Sequence, residues 1–325
     1  MPTTVFFASN RILTGDSKLV TSYGPNIQPP SISTGITYGA AFVDGVDIAS
    51  NNAGAIASIQ NTNTGAFSPS VQGDLADAGR NLLIFIHGFD NTFEDGITRA
   101  AFNREFLAAS GQPSTDTTVI AFSWPSLGQI VSFPVLDADY RHDQFMATQS
   151  GLHLMTFFAN LEPLLRAARA NGNRTYLLAH SMGNLALQSA VESWFLHGNG
   201  NAALFDVSIL AAADCSFDVF GLPNLAGLSA LPLLSQRISI YYSANDQVLN
   251  LSLILNGLQR LGHDGPKNRT DQAAFPASTY PMFDASNITD YDRGFLTSHQ
   301  YYRLSASVRS QIAADIAPQA SPLVA

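Results

Sequence analysis

Thr175-Tyr-Leu-Leu-Ala-His-Ser-Met-Gly-Asn184 runs from a short apolar stretch, Tyr176 to Ala179, through His180-Ser181-Met182-Gly183 and directly into a helical pattern. A serine at such a strand-to-helix junction has the layout of a nucleophile elbow, in which the hydroxyl is thrust off the end of a central strand. The sharp turn needs small residues beside it, and Ala179 and Gly183 flank Ser181 at two residues on either side. The usual first glycine of the elbow is an alanine here, so the text departs from G-x-S-x-G while the sterics survive. A small-x-Ser-x-Gly string alone is common by chance. What gives it weight is the helix that follows, with Leu187, Val191, Trp194 and Phe195 at i, i+4, i+7 and i+8 and His197-Gly198 as a stop.

Working outward, short apolar runs alternate with helical patterns at 82–86, 117–122, 176–179, 207–213 and 238–242. Runs of this length without alternation read as strands buried on both faces, hence a mostly parallel sheet with helices on both sides. Thr92-Phe-Glu-Asp95 looks like a capping box opening a helix towards Ala108, and a long helical pattern covers 144–170, where Pro163 is expected to interrupt or kink it. The strands run into His87-Gly88, Ser123-Trp124-Pro125, His180-Ser181, Asp214-Cys215 and Asn245-Asp246. Ligands of open α/β sheets gather outside the carboxyl ends of the strands, so these residues mark one active-site edge. Val5–Ala8 and Thr37–Val43 read as leading antiparallel strands, 49–79 and 262–287 as surface loops, 288–291 as a late strand and 305–316 as a closing helix. No repeat or boundary divides the chain, which is expected to form one domain over 1–325, with leading strands and a surface loop in 1–75 and a catalytic core in 76–316. The stretches 125–140 and 217–234 read as small cap insertions.

A serine hydroxyl needs a base to take its proton and an acid to hold the base's tautomer. In serine hydrolases built on such an elbow the order along the chain is Ser, then Asp or Glu, then His. Only His197, His263 and His299 follow Ser181. His197 ends the elbow helix and points away, His263 lies in a Gly/Pro turn, and His299 follows a loop just before the closing helix, where the base belongs. Asp246 follows a strand and precedes a helix start, which favours it as the acid; Asp214, one strand earlier, is the runner-up. Two backbone N–H donors are needed for the oxyanion. Met182 after the nucleophile and Phe89 after His87-Gly88 are the candidates, with His87 bracing the loop. Aromatics near the strand ends, Trp124, Phe133, Phe217 and Phe220 together with Phe89, are candidate pocket walls.

Composition narrows the partners. The 325 residues are 46% hydrophobic but only 13% charged, with a net charge of −9 and a single cysteine. The acidic balance and absence of clustered Lys and Arg argue against nucleic acid. Cys215 follows an apolar run and reads as a buried small hydrophobe. No metal-ligand motif or phosphate loop suggests a cofactor, so none is expected. The first ten residues lack a basic n-region, and no segment reaches the roughly 20 apolar residues of a membrane span. As written the chain is expected to be soluble and cytoplasmic, or periplasmic or secreted if a leader has been removed.

Ile84-Phe-Ile-His-Gly-Phe-Asp-Asn-Thr-Phe-Glu-Asp95, Ala121-Phe-Ser-Trp-Pro-Ser126, Ala179-His-Ser-Met-Gly-Asn184, Tyr-Ser-Ala-Asn-Asp246 and Ser298-His-Gln-Tyr-Tyr302 occur together in this order. Over roughly residues 4 to 312 the chain thereby resembles a bacterial α/β-hydrolase family long catalogued as a domain of unknown function and labelled esterase- or lipase-like. Alanine is common at the first elbow position of that family, which accommodates Ala179. The resemblance implies the α/β-hydrolase fold, ester hydrolysis and Ser181, Asp246 and His299 as the triad. The expected activity is hydrolysis of short- to medium-chain acyl esters, a small-molecule substrate class, through an acyl-enzyme on Ser181. Thioesters, amides or polyesters are the alternatives on the same triad, and a non-catalytic binding protein on this fold is the alternative of a different class.

Overall fold

The computed structural model describes residues 2–28, 35–76, 79–111, 116–127 and 136–317. Its strands are β1 (Thr3–Ser9), β2 (Arg11–Leu13), β3 (Tyr23–Ile27), β4 (Thr37–Asp44), β5 (Ala55–Thr64), β6 (Asn81–Ile86), β7 (Thr117–Ser123), β8 (Thr175–His180), β9 (Phe205–Ala211), β10 (Ser235–Tyr242) and β11 (Met282–Asp284). The helices are α1 (Pro69–Leu75), α2 (Phe93–Ser110), α3 (Leu136–Ala170), α4 (Gly183–Leu196), α5 (Leu231–Leu234), α6 (Gln247–Asn256), α7 (Leu261–Asp264), α8 (Tyr301–Leu304) and α9 (Ala306–Ile316). Nine strands form one sheet in the order β11-β10-β9-β8-β6-β7-β1-β4-β5, and β2 pairs with β3 separately. The large sheet is mostly parallel and lies between helices, the layout expected of an α/β-hydrolase.

The two faces of the sheet are legible in single strands. Leu82, Ile84 and Ile86 of β6 point into one core with Leu154, Phe157 and Trp194 of α3 and α4. Leu83 and Phe85 point into the other with Ile97 and Phe102 of α2 and Val308 and Ile312 of α9. Alternate residues are therefore both apolar because each face has its own helical layer, and emptying one such site, as in Phe85→Ala, costs about 3–5 kcal/mol. The ends of α2 are specified locally. Thr92 and Asp95 exchange hydrogen bonds in a reciprocal capping box, and Gly111 closes the helix at a φ of 66°.

Several expectations need correction. β1 and β4 pair antiparallel within one sheet as expected, but β1 also runs parallel to β7, and β5 adds a further antiparallel strand, while β2 and β3 pair antiparallel apart from it. A strand buried on both faces has the same pattern in either direction, so its own residues did not reveal its sense. The expected loop over 49–79 contains β5 and α1. β5 is an edge strand whose only buried side chain is Ile59, so it is held by backbone pairing with β4 and shows no apolar period. The closing strand is Met282–Asp284 rather than 288–291, which form turns and irregular backbone. Pro163 does not interrupt α3, because Leu154, Phe157, Phe158, Leu161 and Leu165 are buried along one stripe on both sides of it. Residues 217–234 are not a detached cap: Val219, Leu228 and Leu231 are buried in the core. Residues 128–135 of the other expected cap lie outside the described residues.

Candidate active site

The turn between β8 and α4 holds Ser181 at a φ of 54°, a left-handed conformation that a non-glycine residue adopts only where its surroundings enforce it. The enforcement is visible. Ser181 N–H donates to Ala211 O at 3.0 Å, and Ser181 O accepts from Asn184 N–H at 3.0 Å and Asp214 N–H at 3.1 Å. Asn184 Nδ2 adds bonds to Ala179 O and Ser181 O. The neighbouring chain comes so close that glycine is required at two points. A Cβ on Gly183 would run into the carbonyl oxygens of His87 and Ile86, and one on Gly88 would lie 2.6 Å from Ser181 Cβ. The strained serine is thus wedged between two strand ends, 1% exposed.

His299 lies in the 3-10 turn Thr297–Gln300, and its Nδ1–H donates to Asp246 Oδ2 at 2.7 Å. The other oxygen of Asp246 caps α6 by accepting from Leu249 N–H at 3.0 Å. One fully buried carboxylate therefore starts a helix and orients an imidazole. The turn bearing His299 is pinned on both sides: Gln247 N–H donates to Ser298 Oγ at 3.1 Å, and Tyr301 Oη donates to Tyr241 O at 2.8 Å. With Nδ1 so engaged, the lone pair of His299 is left on Nε2, which is buried and has no hydrogen-bond partner among the described residues.

The histidine beside the nucleophile supports this turn. His180 Nε2–H donates to His299 O at 3.1 Å, and its ring lies 4.8 Å from that of His299 and 4.5 Å from that of Tyr302. Burial, then the neighbouring His299, pushes the pKa of His180 well below its ordinary value, so it stays neutral and keeps this donor tautomer. Sequence reasoning gave His180 no role; its adjacency to Ser181 was the available signal.

Asp214 is brought elsewhere. It accepts from Tyr140 Oη at 2.9 Å and Ser252 Oγ at 2.5 Å and pairs with Arg260 Nε at 3.2 Å, a buried cluster under α6. Asp246, not Asp214, meets His299.

The loop after β6 is braced from three directions. His87 Nδ1–H donates to Gly88 O at 2.9 Å, and burial, followed by the charge of Arg11, lowers its pKa to about 3. Asn91 Nδ2 donates to Gly88 O and Phe89 O at 2.9 and 2.7 Å. The buried Arg11 reaches Asn91 O at 2.7 Å and Ser126 O at 3.1 Å. The carbonyls of Gly88 and Phe89 are thereby held, while the N–H of Phe89 and that of Met182, at the start of α4, donate to no acceptor among the described residues.

Of the expected pocket walls, only Phe89 reaches the cavity beside His299, a space of about 210 Å³ also lined by Tyr140, Val248, Leu251, Phe295 and Leu296. Trp124 is core: its ring stacks on His87 at 5.1 Å and its Nε1–H donates to His87 O at 2.7 Å. Phe217 and Phe220 line a different cavity of about 160 Å³ with Phe275 and Tyr280. Phe133 lies outside the described residues. The walls that sequence reasoning missed, Val248 and Leu251, stand three apart on α6, directly after Asp246. A larger cavity of about 940 Å³ lies at the opposite, amino end of the strands around Thr4, Arg80 and Thr117, away from this chemistry. Among the described residues no group of three or more His, Cys, Asp or Glu is arranged to hold a metal ion. No helix there is long and apolar enough to cross a membrane. Cys215 is buried, and burial pushes its thiol up to about 12.

A family model described as an alpha/beta hydrolase of unknown function (DUF900) matches residues 64–315. No curated protein sequence matches the chain. Among solved structures, an esterase of Pyrobaculum calidifontis is similar at 12% identity and a TM-score of 0.39, over 94% of this chain and 86% of the other. EstE1, a thermostable carboxylesterase cloned from a metagenomic library, is similar at 10% identity and a TM-score of 0.37, over 86% and 84%. A Trichoderma reesei cutinase is similar at 12% identity and a TM-score of 0.31, over 65% and 88%.

Proposed function

The chain belongs to the α/β-hydrolase family of unknown function that matches it over residues 64–315, and on that premise we propose that it is a serine hydrolase of carboxylic esters. Ser181 is the nucleophile, His299 the base and Asp246 the acid. Ser181 Oγ attacks the acyl carbonyl while His299 Nε2 takes its proton, and the Nδ1–H···Asp246 bond stabilises the imidazolium that forms. The oxyanion is received by the N–H groups of Phe89 and Met182, which have no acceptor among the described residues. Collapse expels the alcohol with the proton from His299. Water then repeats the sequence on the acyl-enzyme and releases the carboxylic acid.

The observation that carries this reading is the 2.7 Å bond from His299 to Asp246 beside a serine held at a φ of 54°. A structural serine has no need of a left-handed backbone, and a structural histidine has no need to leave Nε2 unpartnered. The cavity of about 210 Å³ is below the roughly 300–1,000 Å³ of ordinary ligand pockets, which supports short to medium acyl chains over long ones. One sheet takes its strands from both 1–75 and 76–316, which supports a single catalytic domain. A fluorophosphonate probe tests the reading: it should label the wild type and not Ser181→Ala. Equal labelling of both, or of neither, would remove the enzyme assignment. Esters of increasing chain length, assayed beside thioester and amide counterparts, should show short and medium esters turned over fastest.

A further inference from the structure

Two guanidinium groups line the cavity that reaches His299: Arg99 from α2 and Arg303 from α8. Six of the described arginines have a carboxylate within 4.0 Å: Arg104, Arg141, Arg166, Arg169, Arg237 and Arg260. Among the described residues, neither Arg99 nor Arg303 lies within 4.0 Å of one. Arg303 Nε–H donates to Gln300 Oε1 at 2.9 Å, which aims the guanidinium and leaves its terminal nitrogens free, and Arg99 has no side-chain acceptor among the described residues. The chain has 25 acidic residues against 16 basic ones, so leaving two cations unpaired in one cavity is not for want of carboxylates. Their charges also act on each other. Burial chiefly, and Arg99 further, lower the pKa of Arg303 to about 10, against the opposing pull of Tyr302. A desolvated cation without a counter-ion is unfavourable until an anion arrives.

The remaining charge on the cavity wall is Asp90, whose carboxyl burial pushes up to about 6 and whose loop φ is 58°. It offsets one guanidinium at most. The nearby Asp95 is committed to the cap of α2 through Thr92. The rest of the lining includes the apolar Phe89, Val248, Leu251 and Phe295.

We propose that Arg99 and Arg303 form an anion subsite, and that the substrate is an ester carrying a carboxylate or phosphate on the part that enters this cavity. The proposal rests on the ester-hydrolase reading of Ser181 and His299 and adds the chemical class of the substrate. Planar guanidinium groups suit either anion because each offers paired donors to two oxygens.

Three esters separate the cases: neutral methyl hexanoate, monomethyl adipate with a carboxylate on the acyl side, and the hexanoyl ester of glycerol 3-phosphate with a phosphate on the alcohol side. With hydrolysis followed by pH-stat, one of the charged esters should exceed methyl hexanoate in kcat/KM by about tenfold or more, the worth of a charge-assisted hydrogen bond. That ratio should collapse in Arg99→Gln and Arg303→Gln and persist in Arg166→Gln, which removes the same charge from an exposed pair on α3. Parity among the three esters in the wild type, or a ratio untouched by both cavity variants, overturns the subsite. Labelling of Ser181 by fluorophosphonate in the same preparations keeps this outcome apart from failure of the hydrolase reading. Titration of the wild type with adipate and with hexanamide in a calorimeter needs neither turnover nor a variant. Binding of adipate alone supports the subsite, and equal or absent binding of both sinks it.

Discussion

Asp246→Asn separates the two functions that one carboxylate performs. Its Oδ1 accepts from Leu249 N–H at 3.0 Å and its Oδ2 from His299 Nδ1–H at 2.7 Å. An asparagine has one accepting oxygen for these two donors. If the oxygen faces His299, the amide nitrogen opposes the Leu249 N–H, and a buried donor left unsatisfied costs about 1–3 kcal/mol. If the oxygen keeps the cap, the amide donates to His299 Nδ1 and fixes the tautomer with its proton on Nε2, which cannot receive the serine proton. The second arrangement preserves the helix, so the variant should keep its fold and lose its base. In other Ser-His-Asp triads the wrong tautomer lowers kcat by about 10⁴, or about 5.4 kcal/mol of barrier. The lost cap charge changes stability by only about 1 kcal/mol, which moves Tm by no more than about 4 °C. Steady-state hydrolysis of p-nitrophenyl butyrate beside a thermal melt reads both numbers. More than a tenth of wild-type kcat in Asp246→Asn, or an equal loss in Asp214→Asn with Tm preserved, would refute this assignment of the acid.

Three further outcomes follow from contacts around the elbow. His180→Phe keeps a ring against His299 and Tyr302 but removes the donor to His299 O; kcat should fall about tenfold with KM nearly constant, and a lowered Tm with unchanged kcat would limit His180 to a structural role. Gly88→Ala places a methyl 2.6 Å from Ser181 Cβ and 3.0 Å from His180 O, so it should cost about 1–3 kcal/mol of stability and abolish fluorophosphonate labelling; wild-type labelling would show that the loop has room to move. His87 has its pKa lowered to about 3 by burial first and Arg11 second, so the unfolded chain binds a proton below pH 6.5 that the folded one refuses, and stability drops as pH falls from about 6.5 towards 3. Between pH 7 and 5 this amounts to about 2 kcal/mol, which Asp90, with its raised pKa, partly opposes. Urea midpoints at both pH values should show the loss, and His87→Phe should flatten it; an equal slope in that variant would assign the acid sensitivity to other groups.

What was legible in the sequence followed from local necessity. Ala179 and Gly183 could be read because a strand and a helix cannot pass so closely around larger residues, and the capping box at Thr92 and Asp95 because its bonds span three residues. The meeting of Asp246 and His299 across 53 positions could be anticipated, because chain order and strand ends restrict where such a carboxylate and imidazole can stand. The pocket was not legible by the same means. Trp124 follows a strand end as a wall residue would, but its indole N–H is spent on His87 O and its ring on the His87 ring. Arg99 gave no sign of its cavity, because Arg303, which shares it, lies on α8, some two hundred positions away, and a helix face does not say which element it will confront. β5 escaped notice because an edge strand is held by its backbone, which leaves its side chains free to be polar.

Three histidines crowd the elbow, and the structure distinguishes them by what holds Nδ1. His87 Nδ1–H is given to Gly88 O, in a setting that lowers its pKa to about 3. His180 spends Nε2–H on a backbone carbonyl and leaves Nδ1 without a partner, so protonating it would place a charge where no carboxylate answers it. His299 alone among the three has a carboxylate on Nδ1, and so, on the proposed mechanism, it alone could carry the positive charge that serine attack would create. The two neutral rings then have a physical purpose. Were either His87 or His180 charged, it would repel the imidazolium forming on His299. On that mechanism, the desolvation that keeps them neutral would favour the transition state as well as the packing of the loop. The same reasoning bears on Arg99 and Arg303, which line the cavity that reaches His299 with only Asp90 as a carboxylate on the same wall among the described residues. Under the proposed subsite, an anionic substrate group bound at Arg99 and Arg303 would bring negative charge into the cavity where the imidazolium of His299 forms. An anionic ester would then gain in kcat as well as in KM, whereas an anchoring role alone would change KM only.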